Sequence, residues 1–113
     1  MKLPSRNDLI VEHEKIIGYL LNLNHPYGAT RARFFVALGF SVESWSFFAE
    51  ALREHGRAHE IVASSETGYG PRYVVEGDLR TPSGAQVSMR SVSQFDHGSV
   101  APRLITAYPV QQK

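Results

Sequence analysis

The hydrophobic pattern changes its period once along this chain. From Glu12 to Leu23, the residues Ile16, Ile17, Leu20, Leu21 and Leu23 recur at helical spacing, which predicts a first helix after a short extended piece at Leu9–Val11. Asn24 favours a left-handed cap and Pro26 disfavours helix at His25, so Asn24-His25-Pro26-Tyr27-Gly28 reads as a constrained turn. Thr30 caps a second, short helix to about Leu38 with Phe34, Phe35 and Leu38 inward. Ser41 caps a third to about His55 on the stripe Trp45, Phe48, Leu52, with Gly56 at its expected end.

From Arg57 the period becomes two. Strands are predicted over Ala58–Ser65, Arg72–Arg80, Ala85–Phe95 and Arg103–Val110, separated by the glycine and proline turns Thr67–Pro71 and Thr81–Gly84. Tyr73, Val75, Leu79, Val87, Met89, Ile105 and Ala107 fall on one face, where the helices must cover them. Arg72, Glu76, Ser88, Arg90, Thr106 and Tyr108 fall on the other. The fold class follows: α+β, with about three N-terminal helices packed on one face of a roughly four-stranded antiparallel sheet. Residues 1–113 form one domain in this reading, the helical half at about 9–56 and the sheet half at about 57–110.

Composition narrows the chemistry. The 113 residues include no cysteine, so disulfides, thiolate metal sites and cysteine nucleophiles are excluded, and a cytoplasmic setting is expected. No apolar run is long enough to span a bilayer and Met1–Asp8 lacks a signal peptide's apolar stretch, so no membrane association is expected. Net charge is only +1. Of twelve cations, three are lysines (Lys2, Lys15, Lys113) and the other nine arginines, whose planar forks suit phosphate or carboxylate. Residues 1–69 carry seven cations against eight anions, and residues 70–113 five against three, so the sheet half is the more attractive to an anion.

Two groups of residues are candidates for chemistry. His25, held on a stiff turn with Arg31 and Arg33 close behind, has the tuneable proton and neighbouring cations that acid–base work at a phosphodiester needs; equally, His25-Pro26 shapes a helix connection. The polar sheet face offers Arg72, Arg90, Ser88 and Tyr108 as fixed cations and donors for charge building on phosphoryl oxygens; equally, it is a solvated outer face. His55 and His59 stand four apart, but a helix end at Gly56 would part them and no HExxH pattern exists, so no metal and no cofactor is expected. Gly68-Tyr69-Gly70 has no helix behind it to make a nucleotide loop.

The ordered set His25-Pro26-Tyr27-Gly28, Arg31-Ala32-Arg33-Phe34, Gly70-Pro71-Arg72-Tyr73, Met89-Arg90-Ser91 and Pro102-Arg103-Leu104, with Tyr108 near the end, resembles a group of short uncharacterised bacterial domains found as small genes or as the ends of toxin-like proteins. The layout of helices followed by four strands is also similar to the ribonuclease-toxin fold of barnase, EndoU, RelE and certain colicins, in which RNA is cleaved without metal by attack of the ribose 2′-hydroxyl. The resemblance implies a metal-independent endoribonuclease. His25 is then the general acid or base, Arg72 and Arg90 the phosphate clamp and Tyr108 a catalytic donor, with Arg31, Ser88, Thr106 and Arg103 binding substrate. RNA and a cognate antitoxin or immunity protein are the implied partners. The family favours lysine where Arg31 stands and an aromatic where Ser93 stands, the latter a lost stacking surface for a base. The alternative is a non-catalytic binding or accessory module of a toxin-type locus, taking a partner protein or a carboxylate ligand.

Overall fold

A computed structural model describes residues 1–110. A 3-10 turn (Arg6–Asp8) leads into α1 (His13–Lys15), which continues as a π-helical stretch (Ile16–Leu20); α2 (Ala29–Ala37) and α3 (Trp45–Ala58) follow. The strands β1 (Ile61–Thr67), β2 (Gly70–Arg80), β3 (Gln86–Gln94) and β4 (Arg103–Pro109) form one antiparallel sheet in the order β1-β2-β3-β4. The α+β layout expected from the change of period is the one observed.

Element ends differ where side chains intervene. The first helix stops short of Leu23 because Asn22 diverts the backbone: its amide donates to the Gly18 carbonyl, and its Oδ1 accepts from the N–H of Asn24. Leu23 is left exposed. Ser41 caps a turn rather than α3 itself, its hydroxyl accepting from the Ser44 N–H. Gly56 does not end α3. The helix runs on to Ala58, and a Cβ at Gly56 would sit 2.6 Å from a Leu9 methyl, so the glycine serves close packing of the N-terminal segment. His59, in extended backbone, closes the helix.

The core lies between α3 and the inner faces of β2 and β3, and the N-terminal helices complete it. Phe48 is fully buried, its ring centre 4.2 Å from that of Phe40, on which it stacks, and 4.9 Å from the tilted ring of Phe35. Together with Leu52 it belongs to one cluster with Val75, Leu79, Met89, Leu104 and Ala107; Trp45 and Tyr73 pack at its margin. A register shift between Val92 and Ser93 moves the phase of β4: Thr106 faces Val92, but Leu104 faces Ser93. Leu104 and Ala107 are therefore the inward residues of β4, and the expected core position Ile105 is only half-buried. Ser93 is fully buried with no hydrogen-bond partner for its hydroxyl, so an aromatic at that position belongs to the interior and is no platform for a base.

His55 is also interior. Its Nδ1 lies 3.0 Å from the Ser91 hydroxyl. Its Nε2 lies 3.1 Å and 3.0 Å from the carbonyls of Gly77 and Met89, which face each other across β2 and β3. Carbonyls only accept, so Nε2 carries the hydrogen and Nδ1 accepts from Ser91. His55 thus ties α3 to two strands. His59 lies over Gly77, where any Cβ would collide with its ring, and bonds the Asp78 carbonyl at 2.9 Å.

Candidate functional site

Strand register sorts the polar face into rows. Glu76, Arg90 and Tyr108 stand opposite one another across β2, β3 and β4; Val74, Val92 and Thr106 form the next row, and Arg72, Gln94 and Arg103 the one after. Arg72 and Arg90 share the face, as strand parity predicts. They are four residues apart along it, roughly 13 Å at strand rise. Arg90 donates from Nε to Glu76 at 2.7 Å, whereas Arg72 donates to the Gln94 side chain at 3.1 Å.

The first row carries the candidate site. The N-terminus of α2 comes against it, so that Thr30, Arg31, Arg90, Tyr108, Pro109 and Val110 line a cleft of about 530 Å³. Arg31 is fixed there three ways: its guanidinium donates to the Tyr19 hydroxyl and to the Thr106 hydroxyl, each at 3.0 Å, and its Cζ lies 5.2 Å from the centre of the Tyr108 ring. Tyr19 and Thr106 oxygens are themselves 3.1 Å apart. Among the described residues no carboxylate lies within ion-pair distance of Arg31. Arg90 differs. The Glu76 carboxylate first, and the Tyr108 hydroxyl after it, hold its charged form above the ordinary arginine value. Of the two cations lining the cleft, Arg31 is accordingly the one with charge to spare, and no side chain caps the helix end from which it projects.

His25 adjoins this group through Tyr19, whose ring it meets edge-on at 4.9 Å. Its Nδ1 accepts from the main-chain N–H groups of Tyr27 at 3.1 Å and Gly28 at 3.0 Å, so the neutral ring carries its hydrogen on Nε2. Gly28 is required for this closeness. A Cβ there would lie 2.9 Å from the Tyr19 ring and 3.3 Å from the His25 Nδ1.

The two groups singled out from the sequence therefore meet: His25, Arg31 and Thr106 gather around Tyr19, and Arg31 joins them to Tyr108 and Arg90 across the cleft. Three residues stand apart. Arg72 and Arg103 share the further row with Gln94, Arg103 being bound to Asp96 at 2.7 Å, and Ser88 turns its hydroxyl to Asp78 at 3.4 Å. The Asp96 carboxylate holds the Arg103 guanidinium in its charged form. Tyr19 was missed by sequence reasoning, since it sits within an apolar helical stripe; its only signal was a hydroxyl in otherwise aliphatic company. Among the described residues no three His, Asp or Glu side chains are placed to hold a metal ion, and no helix is long and apolar enough to cross a membrane.

A family model for a domain of unknown function (DUF6883) matches residues 2–111. The chain belongs to that family. No curated protein is significantly similar in sequence. Among solved structures, the fold is similar to a chain of a contact-dependent growth inhibition toxin–immunity protein complex from Klebsiella pneumoniae 342. The TM-score is 0.70 at 18% identity, over 89% of this chain and 99% of that one. At that identity the likeness is one of fold.

Proposed function

We propose that this domain is a toxin-related, metal-independent endoribonuclease whose cleft binds an RNA phosphodiester at Arg31. One observation carries the reading: a guanidinium without a carboxylate partner, held in place by two hydroxyls and an aromatic ring, with a histidine one ring away. Orientation of that kind is what stabilises charge building on phosphoryl oxygens, because nothing has to reorganise as the charge appears. The fold shared with a chain of a toxin–immunity complex supports the same reading.

In the reaction the ribose 2′-oxygen bonds to phosphorus and the bond to the 5′-oxygen breaks. The products are a 2′,3′-cyclic phosphate and a 5′-hydroxyl, with one proton lost from the nucleophile and one gained by the leaving oxygen. Arg31 and Arg90 neutralise the phosphate. His25 serves as the donor in its imidazolium form, in which Nδ1 takes a hydrogen and lets go of the two N–H groups of the turn; it gives the Nε2 proton to the leaving oxygen and returns to the neutral ring. Glu76, bound to Arg90, is the basic group of the row and takes the proton of the 2′-hydroxyl. Tyr108 and Thr106 position Arg31 and Arg90, while Arg72 and Arg103 meet phosphates further along the strand. A cognate immunity or antitoxin protein would act by covering this cleft.

Incubation of the purified domain with total RNA in EDTA tests this. Cleavage leaving cyclic-phosphate ends, lost in Arg31→Ala and in Glu76→Gln, is expected. RNA left intact by the parent across a range of pH, with or without divalent ions, refutes the enzyme. The engagement of His25 Nδ1 in the turn, by two main-chain bonds on that one nitrogen, favours a second reading in that case: an anion-binding module without turnover.

A further inference from the structure

Tyr27 is almost fully exposed, at 91%, although its main chain is held in the turn: its N–H is bonded to His25 and it stands next to the buried Gly28. A large aromatic ring presented to solvent on a fixed turn has surface to offer and little conformational freedom to lose. Its surroundings say what that surface suits. The Tyr27 ring lies 6.0 Å from that of His25, His25 lies 4.9 Å from Tyr19, Tyr19 bonds Arg31, and Arg31 stacks on Tyr108. Aromatic and guanidinium surfaces thus run without a break from the exposed tyrosine to the cation of the cleft.

Stacking surfaces beside a phosphate-holding cation are the means by which proteins hold unpaired nucleotides, whose bases are splayed and free to stack. A duplex keeps its bases paired with one another and offers such a ring nothing. We infer that Tyr27 is the stacking platform for an unpaired base adjoining the phosphate at Arg31, so that the RNA taken by this cleft is single-stranded there. The inference rests on the nucleic-acid reading of the cleft and names its substrate class. Every base has a π-face to lay on the ring, so the platform tolerates any base.

The probe is a short 2′-O-methyl oligoribonucleotide, which cannot be cleaved, titrated into the whole domain with a duplex and an abasic oligonucleotide of equal charge beside it. Tyr27→Ala should weaken single-strand binding by roughly 5- to 100-fold. Tyr27→Phe and Tyr27→Trp should retain it, and binding of the duplex and the abasic strand should be the same in parent and Tyr27→Ala. Because the side chain is exposed, melting temperatures of all three variants should match the parent. Arg31→Ala serves as the second axis: it should weaken every oligonucleotide and flatten the salt dependence. If Arg31→Ala weakens binding but Tyr27→Ala does not, or weakens abasic and intact strands alike, the stacking platform is overturned while the anion cleft stands. If Arg31→Ala changes nothing, the nucleic-acid reading itself falls.

Discussion

Replacing His25 separates the ring's structural work from its proposed chemistry. Two main-chain N–H groups lose their acceptor in His25→Ala. That of Tyr27 belongs to an exposed residue and water can replace it, but Gly28 is buried and its N–H is not so easily rehydrated. Loss of a hydrogen bond of this kind costs about 0.5–1.5 kcal/mol, and loss of the edge-on contact with Tyr19 adds about 0.5–1.5 kcal/mol. His25→Ala should then destabilise the domain by roughly 1–3 kcal/mol, a fall in Tm of about 4 °C for each. His25→Asn restores an oxygen near the position of Nδ1, able to accept both bonds, and should recover about 1 kcal/mol of that loss. Neither variant can pass a proton as imidazole does, so each should lower cleavage by a factor of about 10²–10⁴. Melting curves and cleavage assays on the two variants therefore give different orders: Asn above Ala in stability, both equally poor in turnover. A His25→Ala protein melting with the parent would refute the ring's part in holding the turn, and an active His25→Asn would remove proton transfer from the ring.

Two further outcomes follow from the interior. Phe48→Ala removes a fully buried ring packed on Phe35 and Phe40 and should cost about 3–5 kcal/mol; chemical denaturation that matched the parent would overturn the packing of α3 on the sheet. Burial is the largest influence on His55 and lowers its pKa from 6.5, with neighbouring His59 acting in the same direction, against the opposing carbonyls of Met89 and Gly77. The unfolded chain thus takes up a proton before the folded one does. This contribution to stability is complete above pH 6.5 and is lost as pH falls through the depressed folded value. Melting temperature should drop over that range in the parent and less so in His55→Gln, and equal slopes would show that His55 is not the group responsible.

Much of this architecture was legible from residue order alone. The switch from helical to alternating period places the helices before the sheet, and parity puts Arg72, Glu76, Arg90 and Tyr108 on one face, because both are properties of local backbone geometry. What parity cannot express is distance along a strand or a change of phase. The shift between Val92 and Ser93 put Leu104 in the core in place of Ile105 and left Ser93 inside. Four residues of strand separated Arg72 from Arg90. Gly56 showed the same limit on a helix: a glycine that ends one helix by its backbone freedom lets another pack closely by its missing Cβ, and only the presence of Leu9 decides which.

The candidate site depended on the tertiary structure most of all. Residue types announced a histidine near arginines and a polar strand face, but nothing in the order of residues joins Tyr19 to Thr106 across 87 positions or says that Arg31 lacks a carboxylate while Arg90 has one. Hydrogen bonds and ion pairs are made over about 3 Å, a distance that only the approach of the N-terminal helical segments to β4 brings about. Periodicity is written residue by residue and survives in the sequence; which cation remains unpaired depends on where every other charge has come to rest.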